Sequence, residues 1–91
     1  MFVIDLHYIA PLEEIEKYVT AHRNYLDKYY AANVFITSGP KNPRTGGMIL
    51  ASGDSLEQIE QIILEDPFHI HQLARYTITW VLPNKGEMIN R

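Results

Sequence analysis

From Phe2 to Ile9 the chain alternates, with Phe2, Ile4, Leu6 and Tyr8 on one side and Val3, Asp5, His7 and Ile9 on the other. That period of two predicts a strand. Pro11 suits the first turn of a helix, where its missing amide hydrogen costs nothing, and Glu13, Glu14 and Glu16 follow at the positive end of the helix dipole. Leu12, Ile15, Tyr18/Val19, His22, Tyr25/Leu26 and Tyr29 then recur every three or four positions, so the spacing predicts one continuous helix from about 11 to 32. "NVFITSGP" reads as a second strand closed by Gly39-Pro40, "KNPRTGG" as a loop and "MILAS" as a third strand. Ser55 followed by Gln58 is a capping-box pattern, opening a helix that buries Leu56, Ile59 and Ile62/Ile63. A short extra helical turn follows Asp66. In "RYTITWVLP", Tyr76, Ile78, Trp80 and Leu82 alternate with Thr77, Thr79 and Val81, which predicts a fourth strand.

The order β-α-β-β-α-β has no linker long enough to divide it. It predicts a single α+β domain over residues 1–82, followed by a polar tail over 83–91. Right-handed crossovers place both helices on one face of a four-stranded antiparallel sheet, the ferredoxin-like arrangement. The other face stays open, and whichever way the register falls it keeps Val, Ile, Phe, Met or Leu side chains. A surface of that kind usually meets another, so a homodimer through the open sheet face is expected.

Composition and charge narrow the class mainly by exclusion. The chain of 91 residues is 46% hydrophobic and 21% charged, as ordinary globular domains are. Its net charge is -3, and its eight Lys and Arg form neither a run nor a helix stripe, so no nucleic-acid partner is expected. No apolar run approaches the roughly 20 residues that span a bilayer, and "MFVIDLHYI" lacks the basic start and cleavage site of a secretory signal. No membrane partner and a cytoplasmic location are therefore expected. With no cysteine, the chain has no disulfide, thiolate zinc site or cysteine nucleophile.

Few residues have the look of a site. His22 sits on the apolar stripe of the long helix, where leucine would be ordinary. It reads either as a core histidine bonded to backbone or as the wall of a pocket, able to move a proton near neutral pH. Asp66-Pro67 is what a helix N-cap followed by the first helical position should look like, yet a carboxylate has two oxygens and can also orient an imidazole. His69 and His71, two apart, point to different faces of a helix. With Asp5 and His7 they match no known ligand spacing, so no metal is expected. The tyrosines at 18, 25, 29 and 30 read as core and rim aromatics. Ser38 lacks the nucleophile-elbow glycines, and "TSGPKNPRTGG" lacks the Gly-Lys-Ser/Thr ending of a phosphate loop.

"AHRNYLDKYY" on the first helix, "FITSGP" on the second strand, "GGMILASGDSLEQIEQII" and "EDPFHIHQLARYTITWV" together resemble the YCII-related family of small dimeric α/β-barrel proteins. The specific parts are the His-x-x-Tyr-Leu run from His22, the Ser-Gly-Pro ending at Pro40 and the Asp-Pro-Phe from Asp66. The chain departs from a typical member in its tyrosine-rich first helix and in the histidines after Phe68. The resemblance implies a ferredoxin-like fold, a dimer, a catalytic histidine-aspartate pair falling on His22 and Asp66, and a substrate-binding wall from Ser38, Gly39 and Pro40, with Phe68 beside it. It also implies relatives that act on hydroxylated aromatic rings or on lactones. Two functions follow as expectations. One is a cofactor-independent enzyme moving protons on a small cyclic or aromatic substrate, as an isomerase or a dehydrochlorinase-like lyase. The other is a non-catalytic dimeric module that binds a small ligand or serves as an accessory.

Overall fold

A computed structural model gives the fold, and residues 1–86 are described. The elements are β1 (Phe2–Tyr8), α1 (Leu12–Glu16), α2 (Val19–Ala31), β2 (Phe35–Pro40), β3 (Gly46–Ala51), α3 (Leu56–Ile63), α4 (Pro67–Ile70) and β4 (Ala74–Trp80). The four strands form one sheet in the order β2-β3-β1-β4, with every neighbouring pair antiparallel. This is the α+β ferredoxin-like arrangement that the element order predicts, with the extra helical turn after Asp66 as α4. The polar tail read over 83–91 lies, from residue 87 on, outside the described residues.

Strand register sorts the side chains into two faces. Phe2, Ile4 and Leu6 of β1 are buried toward the helices, opposite Ala51, Ile49 and Gly47 of β3 and Trp80, Ile78 and Tyr76 of β4. The core is completed by Ile15 of α1, Tyr25 and Tyr29 of α2, and Ile59, Ile62 and Ile63 of α3. Phe2, Ile4, Ile15 and Ile59 have essentially no exposed surface, and burying each contributes about 1.5–3 kcal/mol. Tyr25 ties the layers together by donating its hydroxyl to the Ile62 carbonyl at 3.1 Å.

Two local features depart from the pattern. The helix read as continuous from about 11 to 32 is two helices. The Lys17 amide bonds to the Glu14 carbonyl at 3.3 Å and the Tyr18 amide to Ile15 at 3.0 Å, three-residue steps that tighten and end α1. Tyr18 then leaves helical geometry (φ -116, ψ 7), and its carbonyl accepts the His22 amide at 2.9 Å as α2 begins. A step of three preserves the stripe, which is why spacing alone does not show the break. Leu12, counted on that stripe, is 45% exposed.

The second departure lies in β2. Phe35 pairs with Ala51 but Thr37 pairs with Leu50, so β2 carries one extra residue between them. Phe35 faces the helices; strict alternation would turn Thr37 inward and Ser38 outward. The bulge reverses this, and Ser38 lies opposite Ile49, on the helix side. On β3, Gly46 and Gly47 belong to the strand rather than to the loop. A Cβ on Gly46 would fall 1.8 Å from the Leu6 carbonyl oxygen, so only glycine permits this approach of β1 and β3.

Candidate functional site

Asp66 is the N-cap of α4: its Oδ1 accepts the Phe68 amide at 3.0 Å, and its backbone carbonyl accepts the His69 and Ile70 amides. The Asp-Pro reading of the sequence thus holds at the level of the helix start. The same Oδ1 lies 2.8 Å from His22 Nδ1, and Oδ2 accepts the Tyr76 hydroxyl at 2.6 Å. Asp66 has no exposed surface. A buried carboxylate is costly unless well bonded, and here both oxygens are engaged by donors from α2, α4 and β4. Burial and the charge of Asp66 push the Tyr76 phenol far above its ordinary range, so it keeps its proton and remains a donor. Tyr25 is driven upward chiefly by burial and then by Asp66.

Because Asp66 only accepts in this arrangement, Nδ1 of His22 carries the hydrogen, and Nε2 of the neutral ring carries the lone pair. The imidazole is held flat against the Phe68 ring, with centroids 4.1 Å apart and planes 8° from parallel. Its side chain is 15% exposed, and Nε2 has no hydrogen-bond partner among the described residues.

His22 borders a cleft of about 240 Å³ between α2 and the sheet. The floor is the helix-facing row in which Gly47 lies between Leu6 and Pro40. A glycine there leaves a gap in the layer of side chains. Val19 and Leu26 of α2 give the cleft an apolar roof, and Ile49 adds to the floor. Ser38, Gly39 and Pro40 line one end, so the cleft gathers these three positions with His22 and Phe68, while Asp66 sits directly behind the imidazole. Phe68 is 2% exposed, with the His22 ring stacked on one face and the Tyr8 ring edge-on at 6.0 Å. Ser38 Oγ is 2.5 Å from the Tyr30 hydroxyl. With Tyr30 as donor, the Ser38 hydroxyl hydrogen is free for a ligand oxygen.

The other histidines lie elsewhere. His71 stacks on Tyr18 at 4.0 Å, His69 meets the Tyr76 ring edge-on at 5.7 Å, and His7 is exposed on the far side of the sheet. Among the described residues, no group of three or more His, Cys, Asp or Glu side chains is placed to hold a metal. Also among them, no helix is long and apolar enough to cross a membrane.

Sequence reasoning missed Tyr76, Tyr30, Gly47 and the charged residues at the cleft mouth, Glu16, Arg23 and Arg44. Alternation did place Tyr76 on a face with Ile78 and Trp80, but nothing in the sequence marks its hydroxyl as a partner of Asp66. Arg44 sits in a loop that composition defines only as a loop.

A small α+β sheet protein with an imidazole-carboxylate pair at an apolar cleft defines the class. The YCII-related domain matches residues 1–81, and the chain belongs to that family. No curated protein matches the chain. Among solved structures, it is similar to 5-chloro-2-hydroxyhydroquinone dehydrochlorinase (TftG) from Burkholderia phenoliruptrix AC1100, in complex with 2,5-dihydroxybenzoquinone. The similarity has a TM-score of 0.74 at 18% identity and covers 89% of this chain and 93% of the other. At that identity the likeness is one of fold.

Proposed function

We propose that the protein is a small cofactor-independent enzyme that transfers a proton on a small cyclic or aromatic substrate through His22 and Asp66. The observation that carries this reading is the 2.8 Å contact between His22 Nδ1 and the buried Asp66 carboxylate, with the opposite ring nitrogen unpartnered at a cleft. Nε2 takes a proton from a ring carbon or hydroxyl, and Asp66 stabilises the imidazolium through Nδ1. In an elimination, the electron pair released becomes a new π bond and a leaving group such as chloride departs with its own bonding pair. In an isomerisation, the same proton returns at another carbon. Ser38, held by Tyr30, donates to the oxygen that gains charge in either case.

The cleft volume fits such substrates. A cavity of about 150 Å³ admits benzene, so about 240 Å³ takes one ring with a few small substituents. The dehydrochlorinase of like fold supports elimination as one member of the reaction class. We also propose that the protein acts as a homodimer packed through its open sheet face, in the cytoplasm.

The test is hydrogen-deuterium exchange at carbon, followed by NMR in D₂O over a panel of cyclic keto acids and lactones, with chloride release from chlorinated hydroquinones alongside. His22→Gln should slow any activity found by about 10²–10⁴-fold while circular dichroism still reports the folded protein, and the melting temperature should fall because the buried Asp66 carboxylate loses one of its donors. An equal rate in the variant removes His22 from the chemistry.

A further inference from the structure

Charge at the cleft mouth is uneven. Two arginines border it, and they are not equivalent. Arg44 arrives with its own counter-charge, since its guanidinium pairs directly with Glu16, another cleft residue. Arg23, next to His22 on α2, is exposed and forms no ion pair among the described residues. The chain as a whole carries a net charge of -3, so one uncompensated cation beside an apolar cleft runs against the general sign of the molecule. Asp66 lies behind the imidazole with no exposed surface.

We propose that the cleft takes a single-ring monocarboxylate, its ring between Leu6 and Ile49 below and Val19 and Leu26 above, and its carboxylate on the Arg23 guanidinium. The planar fork of an arginine matches a carboxylate with two parallel hydrogen bonds. A single free cation calls for a single anionic group, and Glu16 repels a second carboxylate near Arg44. The apolar walls select the ring, and the volume limits it to one. The assignment rests on the reading of this cleft as the substrate site. With the carboxylate at Arg23, one residue along from the base, an attached ring carbon is brought toward His22 Nε2.

Benzoate and benzamide, alike in shape and different in charge, test this by NMR titration of the intact protein. Benzoate should bind about tenfold or more tightly than benzamide, and the gap should narrow as salt is raised. Arg23→Gln, an exposed change, should erase the gap by weakening benzoate alone, and Arg23→Lys should restore part of it. His22→Gln should keep it. Equal affinities in the unaltered protein, binding of neither compound, or a preference that survives Arg23→Gln overturns the assignment. The two readings fail separately. A preference for benzoate without any His22-dependent proton exchange removes the catalytic role and keeps the anion site; exchange without the preference does the reverse.

Discussion

Asp66 starts α4, fixes an imidazole and receives a phenol hydrogen bond, all with one carboxylate that water does not reach. Removing it therefore disturbs folding and chemistry together, and Tyr76 separates the two. Tyr76→Phe keeps the ring and deletes only the donor to Oδ2. A buried acceptor left without its partner costs about 1–3 kcal/mol, so the urea midpoint should fall with an unchanged slope. An unaltered midpoint would show that the bond contributes nothing to stability. How far these residues can be read from sequence follows from distance along the chain. The capping role of Asp66 is local and legible in Asp-Pro. Its bond to His22 spans 44 positions, and the residues themselves offered it only as one of two uses of the carboxylate, with the family resemblance naming the partner. Tyr76, ten positions away on another element, carries no sequence mark at all.

Between elements, α2 is tied to the end of α3 by a polar cluster at the rim of the core. Lys28 Nζ contacts Glu65 at 2.7 Å, and the Tyr29 hydroxyl donates to the other Glu65 oxygen. The bonds from Lys28 and Tyr29 hold the Glu65 carboxyl below its ordinary range. The folded state then binds this proton less readily than the unfolded chain does. Its stabilisation is complete above the unfolded value of about 4.3 and is lost as the pH falls through the lower folded value. Glu65→Gln should be less stable than the unaltered protein at neutral pH, and the difference should close in acid. Urea midpoints measured on both sides of that window would show it, and a constant difference would count against the linkage. Element identity was legible throughout, because periods of two and 3.6 persist over β1, α2, α3 and β4. Element ends were not. The break at Tyr18 preserves the stripe, and Gly46-Gly47 reads as loop because glycine's strand role here comes from the approach of Leu6, which is a tertiary fact.

Taken as a whole, the molecule buries one side of its sheet and leaves the other open. The open side carries Val3, Leu50 and Met48, flanked by Thr37, Thr77 and Thr79, with Asp5 on the inner strand β1 opposite Met48 and paired with Lys41 at 2.5 Å. These apolar side chains, with the threonines around them and the Asp5–Lys41 pair already neutralised, are what the proposed dimer would cover. Leu50→Lys places a charge among them and none in the core. Light scattering after size-exclusion chromatography should give twice 10.5 kDa for the unaltered protein and 10.5 kDa for the variant. A monomer in both cases would leave the open face without this role.

The extra residue in β2 has a consequence for descent. Ser38 reaches the cleft by a matter of counting, since its direction depends on how many residues precede it in the strand. Losing a single codon there would rotate the hydroxyl to the opposite side while leaving Ser-Gly-Pro intact in the text of the gene. Two relatives could thus share every letter of that motif and differ in whether it faces a ligand, so an inference from one to the other has to compare spacing to Phe35 as well as letters.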